Sequence, residues 1–126
     1  MEKTLKDLVA EASQQIKTYE VDEAIDRFNR KSVTFIDVRD EPELHSDGKI
    51  PGAIHASRGM LEFYIDPQSP YHKDIFSSDE EKIFYCKSGG RSAMAAQRAQ
   101  EMGVKNVAHM AGGFNSWKEK GGGVEA

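Results

Sequence analysis

Hydrophobic residues recur at helical spacing near the N-terminus. The first stretch has them three or four positions apart, at Leu5, Leu8, Val9, Ala12 and Ile16. This spacing predicts an amphipathic helix, and Thr4 with Asp7 matches the capping box that begins many helices. A similar pattern from Val21 to Phe28 predicts a second helix, with a short extended segment at 16–19 between the two.

Short apolar runs without helical spacing follow further along the chain. Residues 33–38 are rich in β-branched and aromatic side chains and are apolar on both faces, which is typical of a strand buried in a parallel sheet. Residues 82–86 and 106–110 predict two more strands. The segment 50–55 indicates a turn that leads into another short strand.

The intervening segments predict helices and the breaks that end them. Residues 60–64 predict a helix, which the stretch 66–70 with its two prolines interrupts. The Ala-rich stretch 91–102 predicts a longer helix that ends at Gly103, and residues 114–118 predict a short final one. The charged segment after residue 38, which includes Asp47-Gly48, is predicted to be a polar loop.

The alternation of strands and helices predicts an α/β fold. We expect a mostly parallel central sheet of about five strands with helices on both faces. The length of 126 residues suits one domain. We divide it into a helical extension packed on the domain (1–18), the domain itself (19–121) and a flexible, glycine-rich tail (122–126).

Charge and apolar content exclude two classes of partner. The chain has 17 Lys and Arg against 21 Asp and Glu, a formal net charge of −4, and no dense basic run. This argues against a nucleic acid or an anionic membrane as the partner. The acidic N-terminus does not fit a secretory signal, and no stretch is long and apolar enough for a membrane span. We therefore expect a cytoplasmic protein.

The chain contains one cysteine, Cys86. An intrachain disulfide and a cysteine-based zinc site are therefore both excluded. The histidines lack the spacing of metal ligands, and none is next to Cys86 in sequence: His45, His55, His72 and His109. We expect no metal site and no Cys-His hydrolase dyad.

Cys86 is expected to begin a loop that leads directly into a helix. Ligands of α/β folds bind at the carboxyl ends of the strands, and Cys86 follows such an end. The helix N-terminus and the loop amides can bind an anion, and Gly89 and Gly90 allow the close backbone approach this requires. With Lys87 and Arg91 nearby, these groups should favour an accessible, nucleophilic thiolate.

A structural interpretation of the same residues is also open. A lone cysteine after Ile83-Phe84-Tyr85 is often a small buried hydrophobic residue, and two glycines before a helix can form an ordinary turn. The functional interpretation is favoured because a strand end, a thiol, flexible residues, a cation and a helix start coincide within seven positions, 86–92.

Four motifs resemble those of the rhodanese family of sulfurtransferases over roughly residues 19–121. They are FIDVR at 35–39, GKIPGAI at 48–54, CKSGGRS at 86–92 and MAGGFNSW at 110–117. Each alone is weak, but all four occur in the family's order and spacing. The resemblance implies the three-layer fold of that family, in agreement with the elements predicted above.

The resemblance also implies an activity. Cys86 would take a sulfane sulfur from thiosulfate or a persulfide donor, hold it as a persulfide, and pass it to cyanide, a thiol or a protein acceptor in a two-step transfer. No metal or organic cofactor would be required. The acceptor must be external, because the chain has no second cysteine. The residues expected to bind the substrate are Lys87, Ser88, Gly89, Gly90, Arg91 and Ser92.

Other charged residues have two interpretations each. Arg91 either locks the loop, by donating to its carbonyls or to Asp37, or contacts the anionic substrate; the locking role is favoured. Asp37 and Arg39 are expected to form a supporting ion pair. Arg58 would add positive potential over Cys86, or is an exposed arginine at a helix start.

Two other functions remain open. The first is a non-catalytic, rhodanese-like module that regulates or binds a sulfur carrier. The second is a phosphatase or arsenate reductase, which is less favoured because those related folds use C-x5-R, whereas Cys86 to Arg91 is C-x4-R. The oligomeric state is open between a monomer and a weak homodimer.

Overall fold

The structure, a computed structural model, describes residues 1–126 and contains six α-helices and five strands. Their bounds in chain order are α1 (Leu5–Gln15), β1 (Lys17–Tyr19), α2 (Val21–Asn29), β2 (Thr34–Asp37), α3 (Glu41–Asp47), β3 (Ile54–His55), α4 (Leu61–Ile65), β4 (Lys82–Tyr85), α5 (Gly90–Glu101), β5 (Val107–Met110) and α6 (Gly113–Glu119). Two 3₁₀ turns lie at Arg58–Met60 and Asp74–Ser77.

The five strands form one parallel sheet in the order β1-β5-β4-β2-β3. The predicted α/β fold with a parallel sheet is therefore confirmed. Because every strand runs in the same direction, all carboxyl ends meet at one edge of the sheet. β4 lies in the centre, between β5 and β2, so the residue that follows it is surrounded by the ends of neighbouring strands.

Helices cover both faces of the sheet. Side chains of α1, α4 and α5 share one core with one face of the strands, and α2 and α6 pack on the opposite face. Alternate strand residues point to opposite faces, and the residues of β4 and the one directly after it divide accordingly. Phe84 and Cys86 belong to the α5 side, and Ile83 and Tyr85 to the α6 side.

The first helix begins as its sequence predicts. Thr4 accepts a hydrogen bond from the Asp7 amide at 3.1 Å, and the Asp7 carboxylate accepts one from the Thr4 amide, which completes the capping box. The predicted boundary at residue 18 crosses β1, which pairs with β5. The N-terminal segment therefore contributes an edge strand as well as a helix.

One segment differs from the sequence prediction. The charged segment predicted to be a loop contains helix α3, which begins after Asp40 with a capping box to Glu43.

The glycine-rich tail, predicted to be flexible, contacts the domain. Glu125 pairs with Lys49 through backbone hydrogen bonds of 2.8 and 2.9 Å, and Gly123 O accepts from Trp117 Nε1 at 2.7 Å.

None of the helices has the length and apolar character that crossing a bilayer requires.

Candidate active site

Cys86 lies at the centre of the carboxyl edge of the sheet. It follows β4 directly, and residues 87–89 form the turn into α5. Gly89 adopts a φ of +116°, a backbone conformation that favours glycine. This turn directs the loop back over the end of β4, so that the first amides of α5 lie beside the sulfur.

Two backbone amides donate to the sulfur of Cys86. Gly89 N lies 3.1 Å and Ser92 N 3.4 Å from Sγ, and the Ser92 hydroxyl oxygen lies 3.6 Å away. Sulfur that accepts N–H groups is stabilised in its charged form. The predicted cradle of loop amides is therefore formed by the N-terminus of α5.

The thiol is much less accessible than the sequence suggested. Cys86 is only 1% exposed and belongs to the core on the α5 side, because its position directly after β4 points it to that face. Its surroundings are nevertheless polar on one side, where Gly89 and Ser92 donate to Sγ. The residue thus combines a buried hydrocarbon part with a hydrogen-bonded sulfur.

Arg91 is bound by Glu43 of α3. Its two terminal nitrogens lie 2.7 and 2.9 Å from the two carboxylate oxygens, a bidentate arrangement. Arg91 and the Asp40 amide together lower the pKa of Glu43 to about 2, and Glu43 raises the pKa of Arg91. The partner is thus neither a loop carbonyl nor Asp37, the two that the sequence suggested.

The N-terminus of α6 holds the loop from the other side. Phe114 N donates to Cys86 O at 2.8 Å, and Asn115 N donates to Lys87 O at 3.1 Å. A Cβ at Gly113 would lie 2.5 Å from the Lys87 carbonyl group and 2.6 Å from Cys86 O. Only glycine permits this close contact between the two segments.

The predicted ion pair between Asp37 and Arg39 is present and fully buried, at 2.8 Å. Tyr85 donates its hydroxyl to Asp37 at 2.7 Å and accepts from Ile50 N at 3.1 Å. Burial, with the Asp37 carboxylate nearby, raises the pKa of Tyr85. This network lies on the α6 side of the sheet and fixes Tyr85, the residue immediately before Cys86.

Comparison of the sequence with protein families gives one match. The family model of the rhodanese-like domain matches residues 20–120. The chain belongs to the rhodanese-like domain family. The matched residues include the cysteine loop and all of the elements from α2 to α6.

Relatives within the family are similar over most of this chain. The thiosulfate sulfurtransferase/rhodanese-like domain-containing protein 3 of Mus musculus is 31% identical over 94 residues, which cover 71% of this chain and 60% of that protein. The thiosulfate sulfurtransferase GlpE of Coxiella burnetii is 31% identical over 98 residues, 76% of this chain and 81% of that one.

A solved structure from Rhodopseudomonas palustris is similar over nearly the whole chain. It is 46% identical, has a TM-score of 0.95, and the match covers 99% of this chain and 96% of that one. That protein is described as one of unknown function and a possible tyrosine phosphatase.

Other residues that the sequence suggested for the site lie around the loop or apart from it. Lys87 and Ser88 are exposed, as expected for side chains at the mouth of a site. Arg58 donates to Glu62 of α4 at 3.1 Å, and no hydrogen bond joins it to the loop 86–92. No group of three or more His, Cys, Asp or Glu side chains is placed to hold a metal ion.

Sequence reasoning missed two residues of this rhodanese-like site. Glu43 is 48 positions from Arg91, and its only sequence signal is the capping box with Asp40. His109 lies in β5, and its Nδ1 is 3.1 Å from Ser92 Oγ. In the sequence, His109 is noticeable only as a single polar residue inside a predicted buried strand. Its contact with Ser92 could be recognised only once the order of the strands in the sheet was known.

Proposed function

We propose that this rhodanese-like domain is a sulfurtransferase that acts through a persulfide on Cys86. It would take the sulfur from thiosulfate or a persulfide donor and pass it to cyanide, a thiol or a protein acceptor. The observation that carries the proposal is the pair of amide hydrogen bonds from Gly89 and Ser92 to Sγ. Such donors favour the thiolate, which is the nucleophilic state of cysteine.

The proposed reaction has two displacements at sulfur. The Cys86 thiolate attacks the outer sulfur of thiosulfate, a new S–S bond forms, and sulfite leaves with the electron pair of the broken S–S bond. An acceptor thiolate or cyanide then attacks the outer sulfur of the persulfide, and the Cys86 thiolate leaves. Neither step requires a metal or an organic cofactor.

The loop retains donors for a second sulfur atom. The amides of Ser88, Gly90 and Arg91 donate to no acceptor of the protein, as is usual at a helix N-terminus. The positive end of the α5 dipole lies at the same place. These groups support a site in which an anionic donor, and later the outer persulfide sulfur, is stabilised next to Cys86.

The buried position of Cys86 adds a requirement. Because the residue is 1% exposed, a donor contacts Sγ only after the groups around the loop rearrange. The exposed side chains of Lys87 and Ser88 are next to Cys86 in the loop. We place the entry point there and expect these two residues to affect the choice of donor.

The test is a thiosulfate and cyanide assay of the wild-type protein and the Cys86→Ser variant. We expect the wild type to release sulfite and to form thiocyanate, and the variant to do neither, because an alcohol replaces the thiolate. The serine variant is a close steric match, so its folding serves as the control. Undiminished activity in the variant would exclude the proposed mechanism, and so would a wild type that forms thiocyanate from neither thiosulfate nor a persulfide donor.

Phosphatase activity is the second candidate, because the Rhodopseudomonas palustris neighbour is described as a possible tyrosine phosphatase. The Arg91 guanidinium would be the group to bind a phosphate, but both of its terminal nitrogens are held by Glu43. The C-x4-R spacing also differs from the C-x5-R of related phosphatase folds. Cys86-dependent hydrolysis of an aryl phosphate, without sulfur transfer, would favour this alternative.

A further inference from the structure

The hydroxyl of Ser92 has three polar neighbours. His109 Nδ1 lies 3.1 Å from Ser92 Oγ, Gly89 O lies 3.2 Å away and Cys86 Sγ 3.6 Å away. Ser92 is fully buried and His109 is only 4% exposed. The hydroxyl therefore connects the reactive sulfur at the end of β4 to an imidazole on the neighbouring strand β5, and it has a single proton to share among these groups.

The positions of the hydrogen atoms follow from the other bonds of each group. The Ser92 hydroxyl donates to Gly89 O and accepts from Cys86 Sγ. Gly89 O also accepts from Ala93 N at 3.1 Å, so this carbonyl stays paired if the hydroxyl turns to Sγ when Cys86 ionises. Ser92 is the only hydrogen-bond partner of the His109 ring in the protein. We place the ring proton on Nδ1, the nitrogen that lies beside Ser92 Oγ. His109 then donates to Ser92, which frees the hydroxyl proton.

His109 is uncharged near neutral pH. Burial lowers its pKa to about 4, so the imidazole takes up a proton only in acid. A neutral ring of this kind is a poor base for the proton of Cys86. Its hydrogen bond to Ser92 is the property that remains available to the site.

We propose that His109 is a positioning residue: its Nδ1–H holds Ser92 Oγ so that the hydroxyl turns its O–H to Cys86 Sγ when the thiol is ionised. The sulfur then has three donors, which are the amides of Gly89 and Ser92 and the Ser92 hydroxyl. This inference rests on the proposed function only in taking Cys86 as the reacting group.

The charged groups near the sulfur do not compete with this contact. Arg91 is bound to Glu43, and the Lys87 side chain is exposed. Ser92 and His109 are hydrogen-bonded to each other. Cys86 is the only other ionisable side chain that makes a hydrogen bond to either of them. A change in the ionisation of Cys86 after mutation of His109 would therefore report on the Ser92 hydroxyl.

The test is a pH titration of the thiolate ultraviolet absorbance, with the Cys86→Ser protein subtracted as background. His109→Leu removes the hydrogen bond and keeps an apolar side chain in the core. His109→Asn is the matched control, because its amide supplies an N–H near the position of Nδ1. Ser92→Ala removes the hydroxyl, and the double variant Ser92→Ala/His109→Leu shows whether His109 acts through it.

We expect His109→Leu to move the titration midpoint upward, with a loss of thiolate of about three- to tenfold below the midpoint, the effect of one net hydrogen bond. Ser92→Ala should do the same, and His109→Asn should stay close to the wild type. In the Ser92→Ala background, His109→Leu should cause no further change.

Three results would overturn the inference. They are an unchanged midpoint in His109→Leu, an unchanged midpoint in Ser92→Ala, or an equal shift by His109→Leu in both backgrounds, which would identify a packing effect. If His109→Leu does not fold, His109→Met takes its place in both backgrounds, and an unchanged midpoint in Ser92→Ala overturns the inference by itself. The titration uses no sulfur donor, so a wild type that fails to transfer sulfur would overturn the proposed function and not this inference.

Discussion

At the scale of single residues, Glu43 connects two parts of the site. Its carboxylate accepts from the Asp40 amide at the start of α3 at 2.9 Å and binds Arg91 at the start of α5. The same side chain thus caps one helix and fixes the orientation of an arginine in the cysteine loop. These bonds keep the pKa of Glu43 near 2, which couples stability to pH.

The depressed pKa predicts how Glu43→Gln behaves in acid. A carboxyl group with a lowered folded-state pKa stabilises the protein above its unfolded value, near 4.5, and loses this contribution as pH falls toward about 2. The side chain is 25% exposed, so we expect the variant to be less stable by about 1 kcal/mol at neutral pH. Urea unfolding at several pH values measures this difference, which should shrink between pH 4.5 and 2.

A second glutamate gives the matched control. Glu101 of α5 binds Arg98 at 2.6 Å but is 66% exposed, so Glu101→Gln should change stability little at any pH. If the difference for Glu43→Gln stayed constant down to pH 2, the ion pair with Arg91 would not be its source.

The identity of Arg91's partner could not be predicted from sequence. The C-x4-R spacing shows that an arginine lies at the start of α5, but its partner is 48 positions earlier in a helix without buried residues. His109 poses the same difficulty, since its contact with Ser92 depends on β5 lying next to β4. Residue types in one loop were predictable, and contacts between distant segments were not.

At the scale of elements, α6 fixes the backbone of the cysteine loop. Its first amides bind the carbonyl groups of Cys86 and Lys87, and Gly113 lies close enough that any Cβ would contact those carbonyls at about 2.5 Å. The second glycine of MAGGFNSW, Gly113, is therefore required for a steric reason. The contact between α6 and the loop should be sensitive to one added methyl group.

We predict that Gly113→Ala disturbs the site more than its backbone conformation alone explains. Left-handed φ costs a non-glycine residue about 1–2 kcal/mol, and the contacts with Lys87 and Cys86 should add at least about 1 kcal/mol. Thiosulfate–cyanide kinetics and urea unfolding measure the two effects. Activity should fall at least tenfold because the loop is displaced.

The Gly121→Ala variant distinguishes the cost of backbone strain from the effect of a steric contact with the loop. Gly121 also has a positive φ, +82°, but a Cβ there meets nothing within 4 Å. This variant should lose stability only, with nearly normal sulfur transfer. Equal activity in the two variants would show that the approach of Gly113 to the loop is unimportant.

The sequence predicted elements well where they are buried. All five strands and the helices α1, α2, α4, α5 and α6 lie within a few residues of their predicted positions. Most of them place apolar residues in the core, although β3 contributes only the partly buried Ile54. Helix α3 was missed since none of its residues is buried, so it has no hydrophobic pattern. The pair Asp40 and Glu43, with Pro42 in the first turn, was the signal available.

At the scale of the whole molecule, the C-terminal segment packs against the α6 side of the domain. Gly123 O accepts from the buried Trp117 indole at 2.7 Å, and Glu125 pairs with Lys49 near the start of the GKIPGAI motif. A glycine-rich composition predicts mobility, but glycine also allows close contact with an aromatic ring. A Cβ on Gly122 would lie 2.3 Å from Trp117.

Removal of residues 122–126 should therefore lower the stability of the domain. The loss of the Trp117 bond and of the pairing with Lys49 should cost about 1–3 kcal/mol. Urea unfolding followed by the fluorescence of the single tryptophan measures this cost. A midpoint equal to that of the full chain would mean that the tail contributes nothing to folding.

The most direct test of the central claim is the intact mass of the protein after incubation with thiosulfate. The account predicts a gain of one sulfur atom that a reducing thiol removes and that Cys86→Ser never shows, because the cradle of Gly89 and Ser92 activates this one sulfur. A wild-type protein that gains no mass from thiosulfate or from a persulfide donor, or a Cys86→Ser variant that gains the same mass, would contradict it.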